Sequence, residues 1–267
     1  MDKLHFQSFG SGSSGNCYYI GSASNGILID AGLSVRSIRK NLRNIGLDFE
    51  NIWGVFVTHD HADHIKAVGP LGEKHLIPIY STRLVHEGIQ RSYCVTEKLY
   101  SSRKFIEKNE TVVVGDFKIT SFPVSHDSTD SVGYTIEYDN KRFTIATDLG
   151  FVTDEVADHL SQADYIVLEA NYDEQMLHQG KYPLYLKDRV SSLTGHLSND
   201  QAGTFLAENY CAKWKHVFLC HLSRENNFPE LAYTTVQNHL ENIEIEVGIH
   251  LDLVTLDRLT PSELYLF

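Results

Sequence analysis

The residues best suited to chemistry lie together in one short segment. Residues 58–64 read Thr-His-Asp-His-Ala-Asp-His, so three histidines and two aspartates fall within six positions. In an extended segment the side chains of His59 and His61 leave the backbone on the same side. Asp63 and His64 come one short turn later and can reach a second nearby site. Imidazoles suit Zn²⁺, and carboxylates suit harder ions such as Mn²⁺ or Mg²⁺. The mixed set therefore favours a pair of divalent metals.

This segment follows a predicted buried strand. Residues 52–57 are mostly β-branched, aromatic or otherwise apolar, which is typical of a strand covered on both faces. The histidines therefore come where a strand ends and a loop turns outward. The alternative is a polar loop that contains histidines by chance. That alternative leaves three histidines beside two aspartates without a ligand to explain them.

Two further candidate ligands stand near the ends of later strands. His126 lies in a loop before the predicted strand at 132–138, and Asp148 closes the apolar strand at 142–147. Taken alone, His126 could be a solvated loop histidine and Asp148 a helix cap.

Two carboxylates at strand ends need partners. Asp30 follows the predicted strand at 26–29, and Glu169 follows the strand at 165–168. A carboxylate in apolar surroundings is costly unless it is paired. Asp30 could orient a metal-bound histidine. His196 stands just before a helix that Ser198 and Gln201 open as a capping box, and His221 ends the strand at 216–220.

The pattern His59-x-His61-x-Asp63-His64 resembles the H-x-H-x-D-H motif of the metallo-β-lactamase fold. This resemblance implies an α/β protein, an αββα four-layer sandwich that binds two divalent metal ions, Mn or Zn. It implies a first metal site at His59, His61 and His126, a second at Asp63, His64 and His221, and Asp148 as the bridge between them. Two such ions hold a bridging hydroxide and clamp both oxygens of a phosphodiester displacement.

Other segments resemble a particular branch of that fold. Glu169-Ala170 and Gly195–Ser198 resemble paired elements of the phosphodiesterase and tRNA 3′-processing nuclease branch, in which a glutamate and a histidine assist protonation of the leaving oxygen. The catalytic residues that this branch implies are Asp63, Glu169 and His196. Segments 11–17, 168–173, 195–199 and 220–227 together resemble the bacterial YycJ/WalJ (VicX) group. That group implies a DNA exonuclease of the 5′-to-3′ type and a link to a cell-wall two-component system.

Six polar residues are candidates for support of the metal ligands or for contact with substrate, and they are Asp30, Ser13, Ser14, Asn16, Ser223 and Asn226. Residues 10–16, Gly-Ser-Gly-Ser-Ser-Gly-Asn, fit equally a flexible turn or a nest of backbone N–H groups that faces a phosphate.

Two other functions stay open at this point. A small-molecule hydrolase of the same fold, acting on a lactone, a thioester or a β-lactam, needs the metals but not the pair of Glu169 and His196. A regulatory partner of a two-component system needs no turnover at all.

Composition sets the limits of these interpretations. The chain has 267 residues, 42% of them hydrophobic, and no repeat or linker divides it, so we predict one domain over residues 1–267 without the inserted β-CASP domain of related nucleases. Four scattered cysteines indicate free thiols and a reducing cytoplasm. The absence of a long apolar run predicts no membrane span.

The charge balance bears on nucleic-acid binding. There are 23 basic and 35 acidic residues, a net charge of −12, which counts against a broad basic surface but allows a local one. Residues 172–195 are the best candidate for a local contact, since they contain Lys181, Tyr182, Tyr185, Lys187 and Arg189. An ordinary surface loop and helix is the alternative.

Hydrophobic periodicity predicts the elements that position these residues. Predicted strands are 4–9, 17–20, 26–29, 52–57, 77–80, 111–114, 117–122, 132–138, 142–147, 165–168, 216–220, 243–249 and 254–256. Predicted helices are 34–45, a short helix from 64 to about 70, 83–90, 198–209 and 229–240.

Overall fold

Two seven-stranded β-sheets form the centre of the protein in the computed structural model, which describes residues 3–267. The first sheet contains β1 (His5–Gly10), β2 (Cys17–Gly21), β3 (Gly26–Ile29), β4 (Ile52–Phe56), β5 (Ile79–Ser81) and β6 (Arg103–Phe105). The second contains β7 (Thr111–Val114), β8 (Phe117–Pro123), β9 (Val132–Tyr138), β10 (Lys141–Ala146), β11 (Tyr165–Glu169), β12 (His216–Cys220) and β13 (Asp252–Thr255). A last strand, β14 (Tyr265–Leu266), returns to the first sheet beside β1.

Each sheet is part antiparallel and part parallel. The first has the strand order β14-β1-β2-β3-β4-β5-β6 and is parallel from β3 to β6. The second has the order β13-β12-β11-β10-β9-β8-β7 and is parallel from β10 to β13. Parallel neighbours need crossover connections, and helices supply most of them.

The helices are divided between the two halves of the chain, as the two sheets largely are. In the first half they are α1 (Val35–Asn44), α2 (Ala62–Ile65), α3 (Val68–Glu73) and α4 (Arg83–Arg91). In the second half they are α5 (Asp154–Ser161), α6 (Glu174–Gln179), α7 (Leu184–Val190), α8 (Asn199–Glu208) and α9 (Pro229–Glu241).

Three apolar cores define the layers. One lies between α1, α3, α4 and the first sheet, and it includes Ile38, Val68 and Val85. A second lies between the two sheets and includes Phe6 and Phe143, whose ring centroids are 4.7 Å apart. The third lies between the second sheet and α5, α8 and α9. The order is helix, sheet, sheet, helix, which confirms the predicted αββα four-layer sandwich.

The two sheets meet at the metal-ligand segment. The Thr58 carbonyl accepts a hydrogen bond of 3.0 Å from the Val132 backbone N–H, and His59 forms an isolated β-bridge with Ser131. The segment after β4 therefore pairs with the start of β9 in the other sheet, and both sheets contribute to one edge of the sandwich.

One predicted strand is wrong. Residues 243–249 form no strand; they turn beneath the end of α9, with only a single β-bridge between Val247 and Leu251. Positive φ angles at Glu244 (64°) and Gly248 (86°) turn the chain at both ends of this segment. Its alternating apolar residues do not belong to a strand, because Ile245 and Val247 pack on the core under the outer helices.

The predicted helix after His64 is also corrected. Two helices replace it, because α2 already begins at Ala62 and α3 continues past Pro70 to Glu73. The structure adds β6, β14, α5, α6 and α7, which the sequence interpretation did not include. Among residues 3–267 no helix is long and apolar enough to cross a bilayer.

Candidate metal centre

The site is assembled from residues that directly follow parallel strands. Asp30 follows β3, Asp148 comes two residues after β10, and His221 follows β12. All three have a positive φ, at 60°, 53° and 55° respectively. This left-handed conformation is uncommon outside glycine and costs on the order of 1–3 kcal/mol per residue. The chain thus turns sharply at each strand end and leaves the three side chains at one edge.

His59, His61 and His126 form the first cluster. Each offers a ring nitrogen within 4.8 Å of those of the other two. His61 Nδ1 and His126 Nε2 are 3.2 Å apart. His59 Nε2 is buried and forms no hydrogen bond with any of residues 3–267. Nitrogen lone pairs that converge without a protein partner are suited to a cation.

Asp63, His64 and His221 form the second cluster. Asp63 Oδ2 lies 3.7 Å from His64 Nε2 and 3.5 Å from His221 Nε2. His221 Nε2 is likewise buried and completes no hydrogen bond within the described chain. Ligands about 2.0–2.1 Å from a tetrahedral Zn²⁺ lie about 3.4 Å from one another. The donor atoms of both clusters therefore fit a divalent metal.

Asp148 lies between the two clusters. Its Oδ2 is 3.2 Å from His64 Nε2 in the second cluster, and its Oδ1 is 3.8 Å from His126 Nε2 in the first. Asp148 offers an oxygen within 4.8 Å of ring nitrogens of both His59, in the first cluster, and His64, in the second, so it can bridge two ions. The geometry brings together all seven residues that the sequence interpretation selected as ligands.

Two buried carboxylates hold histidines of the second cluster. Asp30 Oδ2 is 2.7 Å from His64 Nδ1, and its other oxygen accepts from the backbone N–H of Thr58 at 2.8 Å. Glu169 Oε1 is 3.0 Å from His221 Nδ1. In each case a carboxylate holds Nδ1, which turns Nε2 towards the cluster.

Burial and charge act differently on the histidines. Burial lowers the pKa of His59 and His126, so both imidazoles are neutral, the form that binds metals. Burial also opposes a charge on His64 and His221, but the neighbouring carboxylates outweigh it. They raise the pKa of His64 well above its usual value and that of His221 to about 10. Protons and divalent ions therefore compete for these two side chains.

Glu169 has a second histidine partner. Its Oε1 also lies 2.8 Å from His196 Nδ1, while its Oε2 accepts from the backbone N–H groups of Leu149 and Leu197 at 2.9 and 3.3 Å. The carboxyl group is fully buried, and burial raises its pKa, but His196 and His221 outweigh the burial and lower the pKa of Glu169. Sequence reasoning paired Glu169 with His196 alone; the structure places it between His196 and His221.

A cleft of about 220 Å³ opens over the two clusters, lined by Ser13, His61, Asp63, Asp148, Asn171, Tyr182, Leu186, Arg189, Val190, His196, His221 and Ser223. One wall is the segment 174–195, which contains α6 and α7 and is called the cleft arm below. Helix α7 buries none of its residues. Arg189 forms an ion pair with Asp127, whose carbonyl oxygen lies 3.2 Å from His61 Nε2. The cleft arm is thereby tied to the metal-ligand segment.

The candidate supporting residues have different positions. Asn16 Nδ2 lies 2.9 Å from His64 Nε2 and 3.4 Å from Asp63 Oδ2, so it belongs to the second cluster. Ser13 and Ser223 line the cleft. Ser14 is exposed and is not among the cleft-lining residues. Asn226 is buried, and its backbone carbonyl accepts from Asp173 N at the start of the cleft arm, so it supports the arm rather than a ligand.

The glycine-rich loop uses its N–H groups internally. Gly15 N donates to the Gly12 carbonyl and Asn16 N to the Asp63 carbonyl, each at 2.8 Å. These two groups are therefore unavailable to a phosphate. Gly32 packs equally closely, because a Cβ at that position would overlap the Asp63 carbonyl oxygen. The loop therefore packs against the metal-ligand segment at the Asp63 carbonyl.

Two residues of the site were missed from the sequence. Asn171 Nδ2 donates to the His221 carbonyl at 2.7 Å, and Arg258 Nη1 donates to the Ser223 carbonyl at 2.8 Å. Asn171 stands two residues after Glu169, and its position at a strand end is a usable signal. No local sequence signal pointed to Arg258, because it is 35 residues from Ser223 along the chain.

Comparison with known proteins gives consistent matches. The model of the β-lactamase superfamily domain matches residues 25–221. Exodeoxyribonuclease YycJ of Bacillus anthracis is 32% identical over 262 residues, which cover 98% of each chain. Exodeoxyribonuclease WalJ of Streptococcus pneumoniae is 36% identical over 239 residues, covering 90% of this chain and 89% of that protein. The metallo-β-lactamase fold protein YhfI of Bacillus subtilis superposes with a TM-score of 0.71 over all of both chains at 18% identity.

Asp30→Asn tests the support of the second cluster. Asparagine keeps the size of the side chain and tolerates the left-handed backbone at this position, but it removes the charge that holds His64. We expect metal affinity to fall about 10- to 100-fold, measured by competition with a chromogenic chelator. The matched control is Asp164→Asn, a buried aspartate at the opposite end of β11 from Glu169, which accepts a hydrogen bond from the backbone N–H of Arg142. Equal affinities of the two variants would contradict the role of Asp30.

Proposed function

The chain belongs to the β-lactamase superfamily and, within it, to the family of the YycJ and WalJ proteins, and from this membership we propose that it is a dinuclear metal-dependent exodeoxyribonuclease. It is a metal-dependent hydrolase with His, Asp and Glu groups clustered for divalent metal binding. The proposal adds two ions, DNA as the substrate and digestion from a strand end. Support for DNA comes from the relatives, both of which are named exodeoxyribonucleases.

The observation that favours phosphodiester chemistry is the Glu169–His196 pair beside the two clusters. In this proposal His59, His61 and His126 hold one ion, Asp63, His64 and His221 hold the other, and Asp148 bridges them. Ions bound there, Mn or Zn, would supply a water of lowered pKa and positive charge for both oxygens of the displacement. What remains for the protein is to protonate a poor leaving group.

His196 is placed to supply that proton. Glu169 accepts from Nδ1 at 2.8 Å and fixes the orientation of the ring. Glu169 also raises the pKa of His196 against the opposing effect of burial, so the imidazole holds its proton more firmly than usual. About a fifth of the side chain is exposed, in the wall of the cleft. Nε2 is then the donor to the oxygen that leaves.

The cleft arm is suited to the nucleotide next to the cleaved bond. Tyr182 lines the cleft, Tyr185 is 74% exposed on α7, and Lys187 and Arg189 lie on the same helix. An aromatic ring can stack on any base, and cations meet phosphates without reading sequence. Asp63 stays in the proposed catalytic set as a ligand of the second ion.

Four finer predictions are kept as part of the proposal. These are the 5′-to-3′ direction, a single domain over residues 1–267, a cytoplasmic location and a functional link to a two-component system. Contacts between the two sheets support the single domain, because their shared core takes residues from Leu4 to Leu256. The four cysteines are free, in keeping with a reducing compartment.

The proposed activity predicts release of nucleotides from one end of DNA. Duplexes labelled at either the 5′ or the 3′ end are incubated with the Mn²⁺-loaded protein beside Asp148→Ala. We expect mononucleotides to be released from the 5′ end by the native protein and not by the variant, because the bridging carboxylate is lost. Release from the 3′ end would overturn the direction. Hydrolysis of lactones, thioesters or β-lactams without any cleavage of DNA would overturn the substrate class.

His196→Ala tests the proton donor. Loss of a general acid lowers kcat about 10²- to 10⁴-fold on DNA, whereas bis(p-nitrophenyl) phosphate, whose leaving group needs no proton, should be cleaved almost as fast as by the native protein. Metal content, measured by elemental analysis, should not change. Exposed His178, outside the cleft, provides the matched control His178→Ala. Equal losses on both substrates would show that His196 has another role.

A further inference from the structure

An acidic protein that digests DNA needs a local surface for the phosphates beyond the cleaved bond. The cleft of about 220 Å³ has room for little more than the reacting nucleotide. The excess of 12 acidic residues repels the rest of the strand. A second cavity, to which three arginines contribute, lies between α4 and β6.

This second cavity, the arginine pocket, has a volume of about 360 Å³ and is lined by Arg83, Arg91, Arg103, Phe105, His86 and Glu87, with Gln90 beside them. Helix α4 supplies one wall. The other is β6, which is the edge strand of the first sheet. His86 joins the two walls, because its Nε2 lies 3.0 Å from the Lys104 carbonyl oxygen.

The three arginines of this pocket lack acidic partners. Among residues 3–267, no carboxylate lies within ion-pair distance of Arg83, Arg91 or Arg103, although Glu87 stands on the same wall. Arg103 Nε is buried and forms no hydrogen bond with the described chain. Unpaired guanidinium groups rarely converge in an acidic protein, because each has planar donors that need an anion.

The pocket also has a fixed geometry. The Arg83 guanidinium carbon lies 4.6 Å from the centroid of the Phe105 ring, and the His86 ring meets the same ring edge-on at 5.2 Å. A guanidinium stacked on an aromatic face is held in orientation while the edge with its N–H groups stays free. This arrangement presents donors to a phosphate without the entropy loss of a mobile side chain.

The pocket is connected to the metal-ligand segment through α4. A Cβ at Gly88 would overlap the carboxylate of Asp60, so this face of α4 packs directly on the residue between His59 and His61. Asp60 accepts from Thr129 Oγ1 at 2.6 Å, and Arg91 Nη2 reaches the same hydroxyl at 3.5 Å. Arg91 therefore contacts the loop that follows His126.

We propose that the arginine pocket is a phosphate-binding exosite for the part of the nucleic-acid strand that lies beyond the metal cleft. The proposal rests on the proposed function, since it extends the substrate path of the same site. It explains how an acidic chain holds a polynucleotide: the cleft positions the bond to be cut, and the pocket neutralises phosphates further along the strand.

Arg83→Ala/Arg91→Ala tests the exosite. Both side chains are exposed, so their loss should leave the fold intact. The control with the same change of charge is Arg36→Ala/Lys40→Ala, on the exposed face of α1. Binding to the metal-loaded protein is measured without turnover, by fluorescence anisotropy of a labelled single strand with phosphorothioate linkages that resist cleavage. The strand is longer than the roughly 4–16 nucleotides that a compact binding site covers.

We expect the double variant to weaken binding about 10- to 100-fold and to reduce the slope of log K against log salt by about 1.4, which corresponds to two lost phosphate contacts. The control variant should keep the native slope. Hydrolysis of bis(p-nitrophenyl) phosphate, which has no further phosphates, should be unaffected.

Two results would overturn the exosite. One is a native salt slope in the double variant. The other is a free mononucleotide that binds through Arg83 and Arg91 while binding of the long strand is unchanged, which would make the pocket a nucleotide site. Failure of the native protein to cut any nucleic acid is a separate result, because it contradicts the proposed function whatever the anisotropy shows.

Discussion

The burial of four carboxylates at one edge of the sandwich is the constraint on which the rest of the structure depends. Asp30 and Glu169 are fully buried, Asp148 is 2% exposed, and Asp63 is partly covered. Burying a carboxylate without compensation is costly. Five ligand histidines, His196 and the proposed metal ions compensate for the buried negative charge. The strands and loops around the site bring these groups together.

This constraint explains the backbone around the site. Parallel strands end at a common edge, so β3, β10 and β12 deliver Asp30, Asp148 and His221 to the same place. Each of these residues has a left-handed backbone. Strain of this kind is kept only where the surrounding structure fixes it and where the function needs the resulting side-chain position. The two sheets each supply one buried carboxylate that holds Nδ1 of a histidine in the second cluster: Asp30 holds His64, and Glu169 holds His221.

Much of the fold and the cluster at residues 58–64 could be predicted from local signals in the sequence, whereas His126, Asp148 and His221 were selected as ligands through the resemblance to the metallo-β-lactamase fold. The strands of both sheets are apolar runs that end at polar residues, and the ligands come at those ends. Hydrophobic periodicity gave a wrong prediction for residues 243–249, because Ile245 and Val247 alternate with polar residues as in a strand but pack beneath α9. Contacts between distant segments were not predictable. The bond of Arg258 to Ser223, the second partner of Glu169 and the arginine pocket depend on tertiary packing that no local pattern encodes.

Anomalous diffraction from crystals grown with Mn²⁺ or Zn²⁺ tests the proposal that the two clusters hold two ions with Asp148 between them. We expect two anomalous peaks about 3.5–4 Å apart. One should lie among His59, His61 and His126, and the other among Asp63, His64 and His221. A single peak, or a peak coordinated by Glu169 and His196, would contradict the proposed two-ion centre.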